Sequence, residues 1–146
     1  MDQKTMVPTG TGTRRGFRRG AYVGYRWLLL AFLALGVVQI FLAGLGVFDL
    51  HGQQVGDAGE TAFNPHRSMG FALGGVALFI LAAALLARAG VRAVVLSAVM
   101  FLLAFLAQSL LADLGSDTAF FGGLHAVDGL AILGVAGYLY AMTRSR

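Results

Sequence analysis

The stretch PHRSMGFALGGVALFILAAALLA, Pro65–Ala87, decides the fold. It carries no charge after Arg67, and about 22 such residues at 1.5 Å each cross the roughly 30 Å hydrocarbon core of a bilayer. Three further runs read the same way: Trp27–Phe48, Ala93–Leu114 and Phe120–Met142. Hydrophobic residues make up 58% of the 146-residue chain and charged residues 12%, so a water-soluble fold would leave a largely apolar surface. The fold class expected is all-α, a four-helix transmembrane bundle over residues 22–146. A mobile, basic cytoplasmic arm, residues 1–21, precedes it. The first apolar run starts too late and is too long for a removable leader.

The charges sort by membrane side. Lys4, Arg14, Arg15, Arg18, Arg19 and Arg26 precede the first run, Arg88 and Arg92 separate the second from the third, and Arg144 and Arg146 end the chain. Four crossings put these three segments together, and the positive-inside rule makes that side the cytoplasm, with both termini in it. The other side holds Asp49, Asp57, Glu60, Asp113, Asp117 and Asp128, with Arg67 its one basic residue. The net charge of +4 therefore reads as a topology signal facing anionic lipid rather than a nucleic-acid surface. Tyr22, Tyr25, Trp27, Tyr138 and Tyr140 read as the inner aromatic belt. The chain has no cysteine, which excludes thiolate metal sites, c-type haem attachment and iron–sulfur clusters ligated by cysteine.

Polar residues recur inside the apolar runs. QIFLAGLG (39–46) ends the first and QSLLADLG (108–115) ends the third, sharing Q-x-x-L-A-x-L-G at a shift of 69 residues. The second opens with His66, Gly70 and Gly75 and the fourth with His125, Gly129 and Gly134, sharing H-x-x-x-G-x-x-x-x-G at a shift of 59. The chain thus reads as two helical hairpins of one orientation, related by a pseudo-twofold along the membrane normal. Such symmetry turns His66 and His125 inward from the second and fourth helices, with Gln39 and Gln108 in the same layer.

An ionisable residue inside a membrane defaults to a functional reading. Two facing imidazoles can supply both axial bonds of a haem b, and the glycines four residues on, Gly70 and Gly129, lie on the same helical face as the histidines. Bulk missing there would give clearance to a flat macrocycle. Arg67 can pair with a propionate. Gln39 and Gln108 can bond a propionate or orient an imidazole through its second nitrogen, or bond each other or nearby backbone. Blander readings stand beside these. NP before His66 is a helix start with Asn64 as cap, and Gly70 with Gly74 forms a helix-packing G-x-x-x-G. Asp128 can pair with Arg67, fix the His125 tautomer, line a proton path or sit hydrated at the outer end. His51 reads as a solvated loop residue, and Met69 and Met100 as packing residues.

VVQIFLAGLGVF followed by HRSMG resembles one four-helix half of the haem A synthase family, with Gln39, the His66–Arg67 pair and His125 at corresponding places. The chain is also similar to a family of small uncharacterised bacterial four-helix membrane proteins. The first resemblance implies a haem-cradling scaffold, and the bacterial plasma membrane is the expected location. The synthase pattern has a glutamate three residues before the first histidine, where this chain has Phe63, and many synthases carry loop cysteines that are absent here.

The function expected is that of a b-type cytochrome-like electron carrier, not an enzyme on its own. One haem would sit between His66 and His125 near the outer face. It would exchange electrons with a quinone or an outer redox protein, alone, as a homo-oligomer or within a larger membrane complex. Two alternatives are a cofactor-free accessory subunit of such a complex and a haem-handling protein related to the synthases.

Overall fold

In a computed structural model, residues 11–50 and 57–145 are described. His51 lies outside them. Four helices follow one another: α1 Thr11–Asp49, α2 Asp57–Ala87, α3 Val91–Asp117 and α4 Ala119–Arg144. Each contains a stretch long and apolar enough to cross a membrane, which makes this a multi-pass membrane protein. Helix is the form such segments take because lipid offers no partner to a backbone N–H or C=O.

The helix ends differ from the apolar runs in two places. α1 begins at Thr11, so Arg14, Arg15, Arg18 and Arg19 stand on a continuous helix. At 39 residues, it is about 58 Å long, well beyond the hydrocarbon thickness. α2 begins at Asp57 with Pro65 inside it, which puts His66 in the third turn rather than the first. A proline there removes one backbone donor, a loss most easily borne at a helix end within reach of water.

The α2–α3 connection is set by backbone geometry. Arg88 takes a left-handed φ of 49°. Its N–H donates to Leu85 O at 3.0 Å, and Ala89 N–H donates to Ala84 O at 3.0 Å. These two bonds cap the last carbonyls of α2 in a Schellman arrangement. Gly90, at φ 100° and ψ 151°, then turns the chain into α3. α3 and α4 are joined through the single extended residue Thr118, and the helices leave it so close that a Cβ on Gly115 would lie 3.0 Å from the Gly122 backbone.

Each helix packs against its neighbours in the order α1, α2, α3, α4 and back to α1, leaving α1/α3 and α2/α4 as diagonals without close backbone approach. The core fills only the arginine-rich half. Leu29, Phe32, Ala77, Ile80, Met100, Ala136 and Leu139 are fully or almost fully buried there. Tyr25 belongs to this core and not to the aromatic belt, being 1% exposed. Its hydroxyl lies 3.4 Å from Ser97 Oγ across the α1/α3 diagonal. Trp27 and Tyr138 do face outward. In the other half Gly46 is the only buried position among the described residues of α1 beyond Gln39, and none is buried in α3 after Met100 or in α4 before Ile132.

A residue with a Cβ is strained at the backbone angles of Gly90. Gly90→Ala is expected to cost about 1–3 kcal/mol, read as earlier unfolding of the detergent-solubilised protein in a denaturant titration. Unchanged stability would mean that the hairpin adopts another conformation.

Candidate functional site

In the half of the bundle without a closed core, four polar side chains meet in one layer. Gln39 of α1 lies beside His66 of α2, and Gln108 of α3 lies beside His125 of α4. All four are half-buried.

Each pair is held by two bonds of opposite direction. Gln39 Nε2 donates to the backbone carbonyl of His66 at 3.0 Å, and His66 Nδ1 lies 3.1 Å from the backbone carbonyl of Gln39. Gln108 Nε2 donates to the His125 carbonyl at 2.8 Å, and His125 Nδ1 lies 3.1 Å from the Gln108 carbonyl. A carbonyl oxygen only accepts, so Nδ1 carries a proton in both rings. The imidazoles are thus oriented by the main-chain carbonyls of the glutamines, while the amides serve the histidine backbone.

The glycines explain how an amide gets there. Within a helix the carbonyl of residue i accepts from the N–H of residue i+4; for His66 and His125 those residues are Gly70 and Gly129. A second donor can reach the same oxygen if nothing projects from position i+4. A Cβ on Gly70 would lie 3.3 Å from Gln39 Nε2, and one on Gly129 3.7 Å from Gln108 Nε2. The clearance beside these glycines is therefore occupied by the glutamine amides.

The two pairs differ in the second amide proton. Gln108 Nε2 also donates to Asp128 Oδ2 at 2.9 Å. This bond to Gln108, rather than one to Arg67, is what holds the Asp128 carboxylate. Three residues after His66 the chain has Met69, and Gln39 Nε2 instead lies 3.4 Å from His66 Nε2. Gln39 Oε1 is buried and meets no donor among the described residues. Arg67 is exposed. Phe63 stands edge-on to the His66 ring, centroids 6.3 Å apart, and its ring fills the space that a Cβ on Gly46 would take.

Across the α2/α4 diagonal the two imidazoles approach each other, with centroids 6.1 Å apart and planes at 66°. The site thus offers two imidazoles and one carbonyl oxygen that meets no donor among the described residues. Among the described residues no group of three or more His, Cys, Asp or Glu could hold a metal ion.

A family model described as "Family of unknown function (DUF6220)" matches residues 39–114. The chain belongs to this family. The matched stretch begins on Gln39, takes in His66, Gly70 and Gln108, and stops short of His125. No curated protein and no solved structure matches the chain. The likeness to haem A synthase halves rests on the short motifs alone.

Sequence reasoning singled out Gln39, His66, Arg67, Gly70, Gln108, His125 and Gly129; the fold brings six of them together and leaves Arg67 exposed on α2. It did not foresee the Asp128–Gln108 bond. The available signal was the spacing of Asp128, three residues from His125 and so on the same helical face.

Interhelical hydrogen bonds in membranes are worth about 0.6 kcal/mol on average and up to about 1.7. Gln108→Leu removes two amide bonds and strips Asp128 of its donor, so about 1–2 kcal/mol of destabilisation is expected. Gln39→Leu should cost about half as much. Both are measurable by unfolding in mixed detergent micelles, and equal losses would mean that the Asp128 bond contributes nothing.

Proposed function

We propose that the chain is a duplicated helical hairpin, with both termini on the cytoplasmic side, whose two histidines hold one haem b for one-electron transfer. The duplication is supported by burial. A shift of 59 residues carries the buried Leu73, Ala77, Ile80 and Ala84 of α2 onto Ile132, Ala136, Leu139 and Thr143 of α4, all buried as well. A shift of 68 carries the buried Tyr25, Leu29 and Phe32 of α1 onto Ala93, Ser97 and Met100 of α3. Yet Gln39 and Gln108 are 69 apart. A π-helical turn at Leu103–Ala107 lies between the two sets, and such a turn absorbs one inserted residue while keeping the register of its flanks. The packing pairs correspond too: Gly36 meets Leu133, and Phe105 meets Gly74, with large and small exchanged.

The observation that carries the haem reading is the ring pair. Imidazoles that would hold one metal ion between them must come close across the bundle, and these two do. The observed separation is 6.1 Å. Both Nδ1 atoms bond to carbonyls, which would leave Nε2 of His125 for a metal, and that of His66 once its 3.4 Å contact with Gln39 Nε2 is given up. His66 and His125 would be the ligands, and a haem held by two histidines would supply one-electron transfer. Gln39 and Gln108 fix the imidazole planes, and Phe63 screens the His66 ring. Arg67, exposed on α2 beside His66, is the cation available to a propionate. A quinone or an outer redox protein is the electron partner of this reading.

Two experiments test the parts separately. Deleting Leu106 turns the π turn into a regular helical one and should leave the protein folded, whereas deleting Leu110 shifts Gln108 and Asp117 relative to each other and should destabilise it. Equal damage from both would argue against the duplication. Purified protein should show a reduced α-band near ~560 nm and one haem per chain, as a bis-histidine haem b does. His66→Ala and His125→Ala should each abolish the band. A colourless protein after expression with added haem would refute the cofactor and leave an accessory membrane subunit.

A further inference from the structure

The arginine-rich end carries a feature that the histidine site does not use. Between α3 and α4, open to the membrane, runs a groove of about 760 Å³. Val95 and Leu96 line one wall and Ala131, Gly134 and Tyr138 the other, with Arg92 among the lining residues. The Arg92 guanidinium lies over the Tyr138 ring, 5.0 Å from its centroid. Stacking occupies the face of a guanidinium and leaves its N–H edge free, and that edge matches two oxygens of a phosphate. The first turn of α3 adds to this. Gly90 provides no capping side chain, so the leading N–H groups of the helix present their positive end beside Arg92.

The groove floor is small by design of the sequence. Nothing lies within 4 Å of a Cβ built on Gly134, so the space beside it belongs to whatever fills the groove from the membrane. At the corresponding positions of the first hairpin, taken with the shifts of the duplication reading, Gly24 replaces Arg92 and Phe79 replaces Tyr138. The cation and its phenol are therefore not demanded by the shared hairpin packing.

We propose that this groove binds an anionic phospholipid, one acyl chain lying along Gly134 and Ala131 and the phosphate on Arg92. Charge complementarity selects this occupant: the walls are apolar, and the single charged lining residue is a cation placed where a helix ends at the membrane surface.

The test is native mass spectrometry of the full chain from micelles containing equal phosphatidylglycerol and phosphatidylcholine of identical acyl chains. The wild type should retain one phosphatidylglycerol per chain, preferred about fivefold, the scale of one basic residue at an anionic surface. Arg92→Gln, at an exposed position, should bring the preference close to unity. Gly134→Leu, whose Cβ would have no protein atom within 4 Å and whose side chain would enter the groove, should remove the retained lipid of either kind while the helical content stays unchanged. Equal retention of both lipids by the wild type would overturn the proposal. So would a preference that survives Arg92→Gln, which would assign it to the other basic residues, or a lipid that survives Gly134→Leu.

Discussion

In both hairpins, the outgoing helix is tied to the returning one by a glutamine that exchanges two hydrogen bonds with a histidine. In water such a pair would compete with solvent and contribute little. Inside a membrane there is no solvent to compete and no hydrophobic force drawing helices together, so close packing and polar contacts decide which helices meet. The glutamine amide, the histidine carbonyl and the bare Cα of the glycine one turn further on form a single unit. The parts support one another: a Cβ in place of Gly70 would press on the Gln39 amide at 3.3 Å, and without the glutamine carbonyl the imidazole has no fixed tautomer. The ring-to-ring approach across the bundle follows from having two such units on opposite sides.

Much of this was legible in the sequence because it depends on residue type and spacing. Four apolar runs long enough to cross a bilayer give four helices, and the recurrence of Gln and His at matched offsets gives the layer in which they meet. Helix ends were less legible. Hydropathy marks where lipid begins, while a helix continues through Arg14–Arg19 and through Pro65 as long as its backbone bonds close. Tyr25 was misread for a related reason. An aromatic near a membrane boundary has the composition of a belt residue, and only the packed bundle, with Ser97 of the diagonally opposite helix at the end of its reach, makes it a core residue.

The role of Gly70 and Gly129 shows a subtler limit. Spacing correctly placed them on the histidine face, but an absent side chain does not say what fills the space. Here the glutamines fill it. The π turn was beyond the reach of the sequence for another reason. The 69-residue offset of the glutamines is plain in the text, whereas the 68-residue offset of the buried positions emerges only when burial is known. Residues such as Leu29 and Ser97 share no chemistry that a motif could register.

The two units are not equally stiff. Gln108 has both amide protons engaged, one on the His125 carbonyl and one on Asp128, so rotating it breaks two good bonds. Gln39 holds one good bond, has a long second contact to its own histidine and keeps an unmet oxygen. The two rings are nonetheless held alike, each by one Nδ1 bond of 3.1 Å to a main-chain carbonyl. The asymmetry lies in how the helices are tied: two amide bonds join α3 to α4, and one joins α1 to α2.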